Sequence, residues 1–165
     1  MPKPLTFIDA FAGCGGLSLG LMQAGLTGKF AVEHDSFAFA TLKANLLAKQ
    51  APFKYSWPRW LPKEPLGIAT LLSKYSQQLA ALKGSVDVLV GGPPCQGFSM
   101  AGRRQHDDPR NQLFAQYLRL VEMVKPKIVL IENVRGFTMD FAVGEDVTNY
   151  AGALKAVLSD DYEVH

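Results

Sequence analysis

The chemistry of this chain is concentrated at the ends of two apolar runs. The first, Val86 to Val90, passes through Gly91-Gly92-Pro93-Pro94 to the thiol of Cys95. Such a run reads as a strand buried on both faces, the kind used in the middle of a parallel sheet. Glycines allow close backbone approach to a ligand, and consecutive prolines fix the chain's direction while removing two donors. A cysteine delivered this way stands at the carboxyl edge of the sheet, where open α/β folds bind ligands, and is placed as a nucleophile. A strand-end cysteine is otherwise a small buried hydrophobe. The second run, Lys127 to Ile131, also reads as a buried strand and ends in Glu132-Asn133-Val134. A carboxylate there ordinarily caps or ion-pairs; beside a strand-end thiol it completes an acid–nucleophile pair.

The amino-terminal part offers binding groups. Asp9-Ala10-Phe11-Ala12-Gly13-Cys14-Gly15-Gly16-Leu17 joins a short strand to a helix. The backbone N–H groups of such a turn can hold an anion, although glycine-rich plain turns look alike. Lys and Ser/Thr are missing where a phosphate-gripping loop needs them, which disfavours nucleotide hydrolysis. Glu33 follows about 20 residues later at the end of the next strand, the place for an acid that bonds ribose hydroxyls. It also reads as a solvated strand-end charge. His34 reads as a flanking contact and not as a catalyst.

Gly91-Gly92-Pro93-Pro94-Cys95-Gln96-Gly97-Phe98-Ser99 resembles the catalytic loop of the cytosine-5 methyltransferases, the Pro-Cys family. Asp9 to Gly16 resembles that family's first motif, and Glu132-Asn133-Val134 another. The resemblance implies S-adenosylmethionine as cofactor. It would be held by Phe11, Ala12, Gly13, Cys14, Gly15, Gly16 and Leu17, with Phe11 against the adenine and Glu33 on the ribose. His34, Ile68, Gly92, Pro94 and Leu113 would line the same pocket. Cys95 would add to C6 of a cytosine flipped out of double-stranded DNA, with Glu132 at N3. Ser99, Arg103, Arg104 and Arg110 would meet phosphates. The chain departs from the family at Gly67-Ile68, where an Asp-Ile pair is expected to contact the adenine. Rival readings are a tRNA-methylating relative, a non-catalytic cofactor- or DNA-binding subunit, and a generic nucleotide-binding module. The last explains the glycines but not Pro-Pro-Cys.

Composition agrees with an enzyme domain. The chain has 165 residues, 48% apolar, enough for a proper core, and a net charge of +2, too small to announce a nucleic-acid binder. Its two cysteines form neither a CxxC pair nor a disulfide framework, and no metal site is legible among them and the histidines. No signal peptide or membrane-spanning run is present, so a cytoplasmic (bacterial or archaeal) or nuclear protein is expected.

The elements that must position these groups follow in order. Strands are expected at Leu5–Asp9, Phe30–Val32, Val86–Val90 and 127–131, with a possible one near Phe53–Trp57 and another beginning at Tyr162–His165. Helices are expected over Leu17–Ala24, Phe37–Lys49, Leu66–Leu82, from Asp108 to Val124, and Val147–Ser159, with Gly136–Asp146 a loop. The proline-rich stretch 51–65 reads as a loop packed onto the domain. Together they predict a Rossmann-like α/β fold, a mostly parallel sheet with helices on both faces. The resemblance implies that residues 1–165 are the cofactor-binding and catalytic part, truncated before the fold's last strands. Target recognition is then expected from a missing C-terminal region or a second polypeptide.

Overall fold

Runs that are apolar on both faces assemble here into one parallel sheet. The computed structural model describes residues 3–93, 109–133, 141–143, 146–148 and 150–165. Strand β1 (Thr6–Ala10) is buried at every position and lies inside the sheet. It is flanked by β2 (Thr27–Val32) on one side and β3 (Val88–Gly91) on the other, with β4 (Ile128–Ile131) beyond β3. Every pairing is parallel. Helices α1 (Gly16–Gln23), α2 (Ser36–Leu46), α3 (Ile68–Lys74), α4 (Ser76–Ala80) and α5 (Pro109–Val124) fill the connections. Asp35 caps α2, its carboxylate accepting from the N–H groups of Phe37 and Ala38 at 3.0 and 2.7 Å. Phe7, Ile8, Phe30, Leu42, Leu71, Leu89, Tyr117 and Leu120 are fully buried side chains of the core.

Residues up to Pro93 form one compact unit with Gln112–Glu132; Pro94–Asn111 and Asn133–His165 form another. In the second unit, β5 (Phe141–Val143) pairs antiparallel with β6 (Asp146–Thr148), and α6 (Tyr150–Leu158) follows.

Several expectations change. The helix expected over 66–82 is two helices, interrupted at Tyr75 with φ −118° and ψ 26°. There the buried Tyr75 ring meets Trp60 at 5.6 Å, so a tertiary contact overrides helical periodicity. Residues 53–57 form no strand: Ser56 N–H bonds to the Gly28 carbonyl at 2.7 Å, and Pro58 then lacks the donor to continue a ladder. The stretch instead packs onto the domain as expected, with Trp60 edge-on to Phe30 and the Trp57 indole donating to the Leu61 carbonyl at 2.8 Å. β4 is not a buried strand. Among the described residues it is the last strand of its sheet, and Ile128 and Leu130 are 54% and 44% exposed. Val147 lies in β6 and not in a helix, and residues 141–143 of the expected loop are its partner strand, where aromatic and β-branched residues favour pairing. Tyr162–His165 is not a strand.

Candidate active site

The sheet register gathers the candidate residues. Val32, Ala10, Gly91 and Ile131 lie in one row across the four strands. The next residue of each strand is therefore Glu33, Phe11, Gly92 or Glu132, and all four leave at the same carboxyl edge. The chain runs from β1 to β2 on one side and resumes with β3 on the other, so β1 and β3 flank the topological switch point. Parallel α/β sheets bind ligands at that crevice.

The turn after β1 is built by unusual backbone. Phe11 has φ +60° although it carries a side chain, a conformation that costs about 1–3 kcal/mol and persists where surroundings enforce it. Gly15 has φ +89°, the conformation that favours glycine, and a Cβ there would press on Leu46 Cδ1 at 2.9 Å. The turn is tied by Ala12 N–H to the Val32 carbonyl at 3.0 Å and Gly15 N–H to the Ala12 carbonyl at 2.9 Å. Cys14 is exposed and free.

Glu33 locks the turn to β2. Its side chain is 8% exposed; Oε2 accepts from Gly13 N–H at 2.8 Å, and Oε1 from Asp35 N–H at 2.7 Å. His34 Nδ1 lies 3.1 Å from Oε1, with the imidazole largely in solvent. Two backbone bonds leave a carboxylate with acceptor capacity for further donors. The Glu33 carbonyl accepts from Leu66 N–H at 2.7 Å, which draws the start of α3 and the buried Ile68 to the end of β2.

On the β3 side, the last strand residue must be glycine. A Cβ on Gly91 would lie 2.5 Å from the Tyr117 ring and 2.9 Å from the Ala10 carbonyl oxygen. A Cβ on Gly92 would lie 2.9 Å from Glu132 Oε2, so the acid at the end of β4 reaches across to the end of β3. Glu132 is exposed, and its N–H bonds to the Gly91 carbonyl at 2.9 Å. Leu113 is half-buried on α5. Pro94, Cys95, Ser99, Arg103 and Arg104 lie outside the described residues, as does the side chain of Arg110. Among the described residues, no cluster of His, Cys, Asp and Glu could hold a metal ion, and no helix is long and apolar enough to cross a membrane.

Other residues matter that sequence reasoning passed over. Tyr117, read there only as part of an apolar stripe, is fully buried beneath the site. Its hydroxyl lies 3.3 Å from the Leu89 carbonyl and 3.4 Å from that of Leu130, bridging β3 and β4, and its ring is 6.4 Å from Phe11. Asp9 is 1% exposed within β1; its carboxyl accepts from the Ser18 hydroxyl, which also meets the Tyr55 hydroxyl. A carboxylate inside an apolar strand is a visible signal, but its partner in the proline-rich stretch is not.

Comparison with known proteins extends this geometry. Residues 5–164 match the family model of the C-5 cytosine-specific DNA methylases. The chain is 42% identical over 132 residues to the type II methyltransferase M.AgeI of Thalassovita gelatinovora, covering 78% of this chain and 28% of that protein. It is 35% identical over 162 residues to M1.HphI of Haemophilus parahaemolyticus, covering 96% and 38%. Among solved structures, a prophage-encoded protein of E. coli assigned as a DNA modification methyltransferase superposes with a TM-score of 0.67 at 33% identity, covering 96% of this chain and 39% of that one. The Dnmt2 methyltransferase of S. pombe shares the fold, with a TM-score of 0.61 at 22% identity and coverage of 96% and 41%.

Proposed function

Because the chain belongs to the C-5 cytosine-specific DNA methylases, an S-adenosylmethionine-dependent family, we propose that it forms the cofactor pocket and supplies the catalytic thiol of a DNA cytosine-5 methyltransferase. The observation that carries this reading is the row of strand ends that brings the Phe11 turn, Glu33, Gly92 and Glu132 to one edge of the switch point. The residues present fit the cofactor. Cβ atoms at Gly13 and Gly16 would meet nothing within 4 Å, so the turn opens onto space, and Glu33 stands beside it.

S-adenosylmethionine, when bound, offers an electrophilic methyl group. With the Gly13 and Gly15 amides already bonded to Glu33 and to the Ala12 carbonyl, those of Cys14, Gly16 and Leu17 would receive its carboxylate. Phe11 would pack on the adenine, Glu33 would accept from the ribose hydroxyls, and His34, Ile68, Gly92, Pro94 and Leu113 would line the pocket. Cys95 adds as the thiolate to C6 of a cytosine extruded from the duplex, forming an S–C6 bond and moving electron density to C5. Glu132 holds a proton at N3 and relieves the charge that develops there. Once C5 carries the methyl group, transfer of its proton to a water molecule re-forms the C5–C6 double bond and breaks the S–C6 bond, releasing the thiolate. Ser99, Arg103, Arg104 and Arg110 hold the phosphate backbone around the flipped base. The chain spans 28% and 38% of the two relatives' lengths, so residues 1–165 are read as the cofactor and catalytic part. Target choice is assigned to a further segment or partner chain, and the site of action is the compartment that holds the DNA.

Covalent trapping tests the mechanism. The chain is mixed with S-adenosylmethionine and duplex DNA carrying 5-fluorocytosine, whose fluorine cannot leave as a proton does. The expected result is an adduct mass localised to Cys95 by peptide mapping and lost in Cys95→Ser. Turnover retained by Cys95→Ser would overturn it. Methyl transfer to tRNA in place of duplex DNA would move the assignment to the RNA-modifying branch.

A further inference from the structure

The proline-rich stretch carries no role in the reaction just described, yet one of its side chains reaches the base of the cofactor turn. Tyr55 crosses β2 where Gly28 has no side chain: a Cβ at Gly28 would lie 2.6 Å from the Tyr55 ring. The ring packs against Phe7 at 5.9 Å and Trp57 at 5.6 Å, and the hydroxyl meets that of Ser18. Ser18 in turn donates to Asp9 Oδ2. A serine hydroxyl has one hydrogen, so with that hydrogen on Asp9 the Tyr55 hydroxyl must be the donor to Ser18. Burial holds the Tyr55 phenol far above its ordinary value, and the neighbouring Asp9 adds to the effect, so the donor keeps its proton.

Asp9 lies just before the cofactor turn and Ser18 just after it, in the first turn of α1. The Asp9 carboxyl takes the hydroxyl of Ser18 across the turn. One buried group therefore staples the two ends of the turn together. We infer that Tyr55 is a positioning residue for cofactor binding, its hydroxyl holding Ser18 on Asp9 and so fixing how residues 10–17 present their amides. This deepens the assignment of that turn to S-adenosylmethionine and rests on it.

The groups that face Asp9 give the relay a signature that simple packing lacks. They are Ser18, Tyr55 and, by charge, Glu33. Burial is the main cause that raises Asp9 from 3.8 to about 7; the Ser18 bonds oppose it and the Glu33 charge adds to it. A carboxyl raised on folding contributes stability that is complete below about pH 4 and lost as pH rises through about 7. Removing the Tyr55 hydroxyl weakens Ser18 as a donor, so the midpoint of that loss moves upward. Asp9→Asn removes the loss altogether.

The test uses Tyr55→Phe, Ser18→Ala and the double variant of this chain. Hydrogen exchange without cofactor, thermal melts against pH, and calorimetry with S-adenosylmethionine are read together. Tyr55→Phe keeps the ring and its packing. It is expected to speed exchange at residues 10–17 selectively and to weaken S-adenosylmethionine about three- to tenfold, on the scale of one buried hydrogen bond. The double variant is expected to match Ser18→Ala, because both act through one relay. Wild-type exchange in the turn with Tyr55→Phe, or additive effects in the double variant, would overturn the inference. If the single variants unfold, Asp9→Asn decides: a pH profile unchanged from wild type sinks the relay. Failure of the wild-type chain to bind S-adenosylmethionine would instead count against the cofactor assignment, while exchange in the unliganded protein still judges the staple.

Discussion

Gly67 stands where the resemblance to the family leads one to expect an acid. It is the N-cap of α3, with φ −76° and ψ 147°, and no side chain caps the helix. A Cβ there would meet nothing within 4 Å, and that backbone suits any residue. Gly67→Asp should therefore fold normally. The carboxylate gains a helix cap worth a few tenths of a kcal/mol and stands where the family's adenine contact is expected. Several-fold tighter S-adenosylmethionine binding by calorimetry, with a slightly raised Tm, is the expected outcome; a raised Tm with unchanged affinity would place the adenine elsewhere. Single residues were legible in sequence to different degrees. The place of Glu33 at the end of β2 was readable because its distance from the glycine turn is set by one strand–helix–strand unit. Its bonds to Gly13 and Asp35 were not, since they depend on how the turn folds back. The Asp9–Ser18–Tyr55 relay was invisible because nothing in local pattern tells which distant hydroxyl meets a buried acid.

The strands are also tied at the edge opposite the site. Asp87, just before β3, accepts from the Thr6 N–H at 2.8 Å and its hydroxyl at 3.0 Å, and from Lys127 Nζ at 2.7 Å. One carboxylate thus sets the start of β1, β3 and β4. The Lys127 bond, with those from Thr6, lowers it from 3.8 to about 2. A carboxyl lowered on folding stabilises above its unfolded value, and the benefit disappears as pH falls from about 4 through about 2. Asp87→Asn is expected to lower Tm by a few degrees at pH 7, with the gap to wild type closing by pH 2. A gap that persists at pH 2 would mean the side chain acts by shape and not by charge. At this scale the sequence located β1, β3 and α5 well, because apolar runs and a helical stripe are local signals. It merged α3 with α4 because Tyr75 fits the helical period, while Trp60, which meets it there, comes from another stretch. The hairpin of β5 and β6 was read as loop and helix since its strands are too short for a period to show.

For the molecule as a whole, the parallel order β2-β1-β3-β4 was implied by strands alternating with helices, and the switch point beside β1 and β3 followed from it. What pattern alone misjudged was coverage. An apolar run reads as buried whether or not anything lies over it, and β4 shows Ile128 and Leu130 on one exposed face. Pro126 and Lys127 at the start of β4 are residues that discourage edge-to-edge pairing, but they guard the strand's entry and not its middle. Concentration-dependent self-association in sedimentation velocity is therefore expected of this chain, abolished by Ile128→Glu. A concentration-independent monomer would show that the face is harmless. Where residues 1–165 do associate through β4, a charge added there should lengthen the storage life of a purified sample even if the melting temperature does not move.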